Sequence, residues 1–217
     1  MSFCYGDTKE SLNNRKSFLG NLGIDYRDLV CAKQVHSNRL KYVTEEDKGR
    51  GALSYDGSVP DTDAFITDKK RIPLAVFTAD CLSVFLFEPN KSVIGLVHAG
   101  WRSTKENITT RAVESMSKEL DIHPEDLYAG FGPAIRRCCY EVGEEFKDHF
   151  TYGLEERLGR YYLDLARINK KELLELGVSE KNIFDPEICT SCRNEEFFSY
   201  RKEGKGTGRM ISVMMLR

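Results

Sequence analysis

Four side chains stand out for the chemistry they could carry: His36, Asp80, Cys81 and His98. Imidazole nitrogen and thiolate sulfur are donors that zinc prefers, and a catalytic zinc takes three protein ligands and keeps a fourth position open. The chain has 4 histidines, so each can be weighed. His98 closes the apolar run KSVIGLV (91–97) and precedes Ala-Gly-Trp-Arg. Strand ends in α/β proteins are where ligands bind, so His98 reads equally as a ligand or as a satisfied structural histidine. Cys81 interrupts a second apolar run, and taken alone it reads as a small core residue. Its neighbour Asp80 is harder to dismiss, because a buried charge is costly and needs a partner or a role. That role could be orienting a ligand histidine or accepting a proton. His36, in KQVHSN (33–38), reads on its own as a surface histidine. His123, before Pro124, and His149, beside Asp148, read as solvent-facing. Offsets of 45 and 17 residues separate His36, Cys81 and His98, too long for a zinc-finger box.

The elements that must position these groups are legible in the hydrophobic pattern. Residues 72–87 (IPLAVFTADCLSVFLF) are two apolar runs, read as buried strands broken at 78–81. Residues 91–97 form another buried strand, and 127–131 (LYAGF) a further one. Between these two, Ser103 and Glu106 have the spacing of a capping box. Ile108, Ala112, Val113, Met116 and Leu120 then recur at helical spacing. This strand–helix–strand order predicts a βαβ unit with a parallel pairing. In the second half, 142–150 and 166–176 read as helices, the latter stopped by Gly177. Residues 161–165 read as a strand; 197–201 and 210–216 read as two strands joined by the turn KEGKGTG. Residues 45–61, rich in Gly and Asp, read as a surface loop.

The bulk properties narrow the function. A chain of 217 residues with 41% hydrophobic and 30% charged residues is an ordinary globular composition. A net charge of −2 gives no basic field for a nucleic-acid polymer. No apolar stretch is long enough for a membrane helix and no h-region follows the first residues, so the cytoplasm is the expected location. Seven cysteines, an odd number, do not suggest a secreted disulfide framework. Cys189-Thr-Ser-Cys192 has the C-x-x-C form, but a second such pair and a thioredoxin context are missing. Cys138 and Cys139 are adjacent, a poor arrangement for one tetrahedral site, and all four are read as structural. The glycine-rich 204–208 reads as a flexible turn, because no helical pattern follows it.

Several segments together resemble the YfiH-like laccase-domain family: QVH (34–36), TADC (78–81), HAGWR (98–102), GPAI (132–135), CCYEVG (138–143), LDL (163–165), FFSYR (197–201) and TGRM (207–210). They follow one another in order from about residue 31 to the C-terminus. The resemblance implies a single domain over 1–217, an α+β fold layered α/β/β/α with mixed sheets, and a monomer. It implies a zinc held by His36, Cys81 and His98, with copper also admissible. It implies phosphorolysis of purine nucleosides such as adenosine, inosine or methylthioadenosine, with adenosine deamination as a companion. Cys81, His98 and Asp80 are then the candidate catalytic residues. Arg102 is the candidate phosphate-binding residue, with Arg201 and Arg209 beside it in the substrate pocket. Two departures are visible: residues 2–6 lack the family's Ser-x-Arg-x-Gly-Gly type sequence, and Trp101-Arg102 is followed by Ser103 where the family usually has glycine. Three competing readings remain: a Cys81–His98 amidase acting on a cell-wall precursor, a copper polyphenol oxidase, and a non-enzymatic metal-binding partner protein. A chain with 4 histidines is too poor in that residue for a multicopper cluster.

Overall fold

The structure, a computed structural model, describes residues 2–3 and 8–217; Cys4 and Gly6 lie outside the described residues. Its centre is a mixed six-stranded sheet. In chain order its strands are β2 (Leu40–Tyr42), β3 (Ala64–Thr67), β5 (Leu82–Glu88), β6 (Val93–Ala99), β7 (Tyr128–Phe131) and β11 (Ile183–Phe184), and they lie side by side as β11-β7-β5-β6-β3-β2. A smaller sheet holds β1 (Val30–Cys31), β4 (Leu74–Thr78) and β12 (Met210–Met214), in the order β1-β4-β12. A third, antiparallel sheet pairs β8 (Glu141–Val142), β10 (Arg160–Leu163) and β9 (Leu154–Arg157).

Alternation of side chains along each strand builds the layers. On the central sheet, Ile66, Val84, Leu86 and Val97 face a core shared with two helices, α3 (Ile108–Leu120) and α4 (Leu165–Glu175). Phe65, Ile94 and Leu96 face the opposite way and pack on Val30, Leu74 and Val76 of the small sheet. The far side of that sheet, Cys31 and Ala75, meets Leu19 of α1 (Thr8–Asn21). The order is therefore α1, small sheet, large sheet, α3 with α4, which is the α/β/β/α sandwich that the resemblance implies. Most of these apolar side chains are fully buried, each contributing about 1.5–3 kcal/mol relative to an exposed position. Gly95 on β6 lets α3 approach: a Cβ there would lie 3.1 Å from the Met116 sulfur.

The two apolar runs of 72–87 are the strands β4 and β5, separated as predicted, but they belong to different sheets. The predicted parallel pairing of β6 with β7 does not form. Both strands lie antiparallel against β5, which sits between them. Residues 197–201 are not a strand: Ser199 caps the short helix α5 (Tyr200–Glu203), its hydroxyl accepting the Lys202 N–H. No hairpin follows, and β12 pairs antiparallel with β4 instead. The helix expected over 142–150 shrinks to a 3-10 turn at Glu144–Asp148. Ser103 does not open a helix either. It lies inside α2 (Trp101–Lys105), where its hydroxyl accepts the Gly100 N–H at 2.9 Å. The loop over 45–61 is less superficial than expected, since Ala52 and Val59 are core residues and Val59 bridges Ala32.

One ionisable group sits between the two core helices. Thr110 on α3 donates to the Glu172 carboxylate on α4 at 3.2 Å. Burial pushes the Glu172 carboxyl up to about 7, outweighing the hydrogen bonds from Thr110 that favour its charged form. Between the ordinary value and about 7, the folded chain retains a proton that the unfolded chain has released. Stability therefore falls as pH rises through that window and levels off above it. Comparing unfolding free energies near pH 5 and pH 8, Glu172→Gln is expected to remove a decline on the order of 1–2 kcal/mol. Identical pH slopes in the two proteins would refute the assignment.

Candidate metal centre and cavity

The site forms where the two sheets part. His98 stands near the end of β6, and Cys81 sits in the connection that leaves β4 in one sheet and enters β5 in the other. That crossing is sharp: Asp80 takes φ +87°, in the left-handed region that L-residues avoid. Its carboxylate is what holds it there. One oxygen accepts the Thr190 hydroxyl at 2.7 Å and the other the Arg201 N–H at 2.6 Å, while the Asp80 carbonyl accepts the Ile135 N–H. His36 lies in the loop after β1. There the Gln34 side chain bonds both the N–H and the C=O of Phe77, acting as an extra rung on β4.

The three residues meet. The Nδ1 or Nε2 atoms of His36 and His98 and the sulfur of Cys81 all lie within 4.8 Å of one another. The imidazole rings are T-shaped with centroids 4.8 Å apart, and the Cys81 sulfur is 3.8 Å from His36 Nε2. Gly100 is what lets them close in: a Cβ there would come within 2.7 Å of His36 Cδ2 and 3.2 Å of the Cys81 sulfur.

Asp63 organises this cluster, and no local sequence signal marks it. Fully buried, its carboxylate pairs with His98 Nδ1 at 2.8 Å, which turns the opposite edge of the ring, with Nε2, toward Cys81. The same carboxylate accepts the N–H groups of Val35, His36 and Ser37 and the Ser37 hydroxyl. Successive N–H groups wrapped on one anion form a nest, which accounts for the φ of +60° at His36. Burial would raise the Asp63 carboxyl, but its bonds from His98 and Ser37 hold it below the ordinary carboxylate range. The orienting role predicted for Asp80 therefore belongs to Asp63, and both oxygens of Asp80 are already engaged by Thr190 and Arg201.

Burial alone would push the Cys81 thiol up; the charge of His98 and hydrogen bonds from His36 and His98 outweigh it and bring the thiol down to about 6. His98 moves the other way, to about 9: the charge of Cys81 and the Asp63 bond overcome burial. A thiolate and two imidazoles converging on one point fit a single zinc or copper ion, and three donors leave a coordination position for a substrate or water.

These donors face a cavity of about 680 Å³, within the range of small-molecule sites. Trp101, Tyr140 and Tyr200 give it aromatic walls, and Arg102, Arg201 and Arg209 bring positive charge. Arg102 lies over the Trp101 ring, its guanidinium carbon 5.0 Å from the centroid, and makes no ion pair among the described residues. Arg201 is tied more firmly, donating to the Glu141 carbonyl at 2.7 Å, and Arg209 donates to the Thr207 and Gly208 carbonyls. Sequence reasoning also missed Arg15. This α1 residue lines the cavity although only 1% exposed, and donates to the carbonyls of Gly51 and Ala52. A basic residue on a weakly amphipathic helix gives no sequence signal for such burial. His123 is exposed as expected, whereas His149 stacks on Trp101 at 6.2 Å.

Fold and donor set together define a YfiH-like laccase-domain protein with a candidate metal centre opening into an arginine- and aromatic-lined cavity. The chain belongs to the family described as multi-copper polyphenol oxidoreductase laccase, whose profile matches residues 1–217. It is 35% identical to the purine nucleoside phosphorylase YlmD of Geobacillus stearothermophilus, over 96% of this chain and 79% of that protein. It is 30% identical to the adenosine deaminase RL5 of an unidentified prokaryote, over 95% of this chain and 82% of that one. The crystal structure of the hypothetical protein YfiH of Bacillus licheniformis superposes with a TM-score of 0.93 at 33% identity, covering 97% of this chain and 82% of YfiH. Among the described residues, no helix is long and apolar enough to cross a membrane.

Replacing Asp63 by Asn should remove the anion from the nest while keeping its shape. Chelator competition is expected to show metal affinity at the His36–Cys81–His98 centre falling about 10–100-fold. Unchanged affinity would mean that Asp63 does not orient the ligands.

Proposed function

We propose that the chain is a zinc-dependent purine nucleoside phosphorylase with an accompanying adenosine deaminase activity, acting on adenosine, inosine or methylthioadenosine. The observation that carries this reading is the convergence of His36, Cys81 and His98 at the wall of an arginine- and aromatic-lined cavity. The names of the relatives agree with it. His36, Cys81 and His98 would hold the zinc, which when bound supplies Lewis acidity and a more acidic water.

The chain's own groups have separate tasks. Trp101, Tyr140 and Tyr200 offer flat apolar faces on which a purine can stack. Arg102, with no ion pair among the described residues, is the group best placed to hold phosphate, and its planar fork suits bidentate contact. Arg201 and Arg209 add positive charge toward the substrate, with their hydrogen bonds to backbone carbonyls limiting their movement. In phosphorolysis a phosphate oxygen bonds to the anomeric carbon as the bond to the purine nitrogen breaks, and the base leaves with a proton. Asp80, also at the cavity wall, positions Arg201 through its backbone N–H. Copper would occupy the same donors. Nucleosides and inorganic phosphate both occur in the cytoplasm, which is where this activity belongs.

Incubation of metal-quantified protein with a nucleoside panel tests the reading. Free base and sugar 1-phosphate should appear only with phosphate, and inosine should form from adenosine without it. A protein that releases neither product refutes the proposal, and activity that survives chelation points instead to a Cys81–His98 hydrolase. Arg102→Ala should raise the phosphate KM about tenfold, the scale of losing a charge-assisted bond worth about 1.5 kcal/mol. A phosphate KM that does not move would remove Arg102 from that role.

A further inference from the structure

The four remaining described cysteines other than Cys31 also converge, some distance along the chain from the first centre. Cys138 and Cys139 lie in the turn after β7, and Cys189 and Cys192 follow β11. Their sulfurs all lie within 4.8 Å of one another, with Cys138 to Cys192 at 3.5 Å and Cys139 to Cys192 at 3.3 Å. A disulfide would require about 2.05 Å. Four thiolates around one zinc at about 2.3 Å stand roughly 3.8 Å apart, close to the spacing seen. We propose that Cys138, Cys139, Cys189 and Cys192 form a second, closed metal site that binds one structural zinc through four thiolates.

The backbone is shaped for it. The predicted objection to adjacent cysteines assumes an extended chain, in which neighbours point to opposite faces. Here Cys139 N–H and Tyr140 N–H both bond the Arg136 carbonyl at 2.9 Å, closing a tight turn. In such a turn consecutive side chains diverge far less, and both sulfurs reach the same point. On the other segment the Arg193 N–H bonds the Cys189 carbonyl at 3.0 Å and curls the C-x-x-C sequence around the site. The two segments are joined directly: Ala134 and Cys189 form a β-bridge, and Thr190 N–H bonds the Ala134 carbonyl at 3.1 Å.

Backbone donors surround one of the four sulfurs. Backbone N–H groups of Cys192, Arg136 and Ser191 are turned toward the Cys189 sulfur. Three donors aimed at one sulfur suit a metal-bound thiolate. Arg157 lies near enough to feel the charge of Cys138, and a four-thiolate zinc, with its net charge of about −2, gains from a neighbouring cation. With four protein donors no position stays open, so this ion would be structural, unlike one at the first centre. Soft thiolates alone also favour zinc over harder cations.

Such an ion would brace the cavity wall. Thr190, between the two C-x-x-C cysteines, holds Asp80 beside Cys81, and Ile135, four residues before Cys139, bonds the Asp80 carbonyl. Ile135 and Tyr140 line the cavity. The site is distinct from the proposed catalytic zinc and does not depend on that reading.

The test separates the two sites. In a His36→Ala, Cys81→Ser, His98→Ala chain purified under reducing conditions, elemental analysis should find about one zinc per chain. Replacing that zinc with cobalt should give intense thiolate-to-metal charge-transfer bands and the visible bands of tetrahedral cobalt. Adding Cys138→Ser and Cys192→Ser should abolish both the metal and the bands. As a control on folding, zinc released from the unsubstituted chain by a thiol-specific reagent should exceed what loss of Cys81 alone accounts for. No zinc in the triple variant, cobalt spectra without thiolate bands, or disulfides among these cysteines by mass mapping would overturn the proposal.

Discussion

The buried carboxylate of Asp63 is the interaction on which the rest of the site depends. A fully buried charge is costly unless its lone pairs are filled, and here five donors fill them: three backbone N–H groups, one hydroxyl and His98 Nδ1. Each donor carries positional information. The N–H groups fix the 35–37 loop, and with it the left-handed backbone that turns His36 toward Cys81. The histidine bond fixes the orientation of the His98 ring. The Asp63 carbonyl also accepts the His98 N–H at 2.7 Å, so backbone and side chain lock the same pair of residues. One anion thus sets the orientation of two candidate ligands that lie 62 residues apart in sequence.

The third ligand is positioned by topology. β4 and β5 leave the chain as consecutive strands but enter opposite sheets, so the connection between them must cross the interlayer gap. Ala79, Asp80 and Cys81 make that crossing, and the strain at Asp80 is held by groups from the far end of the chain, Thr190 and Arg201. Strain at a functional connection persists only when the surroundings over-determine it. Here the surroundings are the C-terminal segments, which explains why Tyr200, Arg201 and Arg209 lie at the cavity although they contribute no ligand to the first centre.

Sequence alone revealed the elements whose signals are local. The apolar runs that become β4, β5, β6 and β7, the helical spacing of α3, and the Gly177 stop after α4 all carry their own periodicity. The three donors His36, Cys81 and His98 were candidates by residue type, and the family resemblance joined them. What stayed hidden depends on tertiary contacts. Asp63 sits just past a Gly- and Asp-rich stretch, where nothing marks one aspartate as the buried one. Arg15 belongs to a helix whose polar sequence gives no hint of a buried face. Residues 197–201 are aromatic enough to suggest a strand, but the Asp80 carboxylate accepts the Arg201 N–H and the Ser199 hydroxyl the Lys202 N–H, and a helix turn forms instead. The parallel pairing of β6 and β7 failed because β5, between the two in space, precedes both in sequence.

The two donor clusters share one piece of architecture. The first opens on the cavity, with Arg102 poised over the Trp101 ring. The second is closed, built from two turns pinned together by a bridge at Ala134 and Cys189. Between them runs a short chain of bonds: Cys189 adjoins Thr190, Thr190 donates to Asp80, and Asp80 precedes Cys81. The four-cysteine turn is thus tied to Asp80, next to Cys81, through the Thr190 hydroxyl and the Ile135 N–H. The same turn carries Tyr140 at the cavity wall, and its Cys139 and Glu141 carbonyls receive Arg201. A loop that must hold an aromatic wall and an arginine in place, with its own backbone mostly at the surface, has few apolar contacts to rigidify it. Four sulfurs on one ion supply that rigidity where hydrophobic packing is thin.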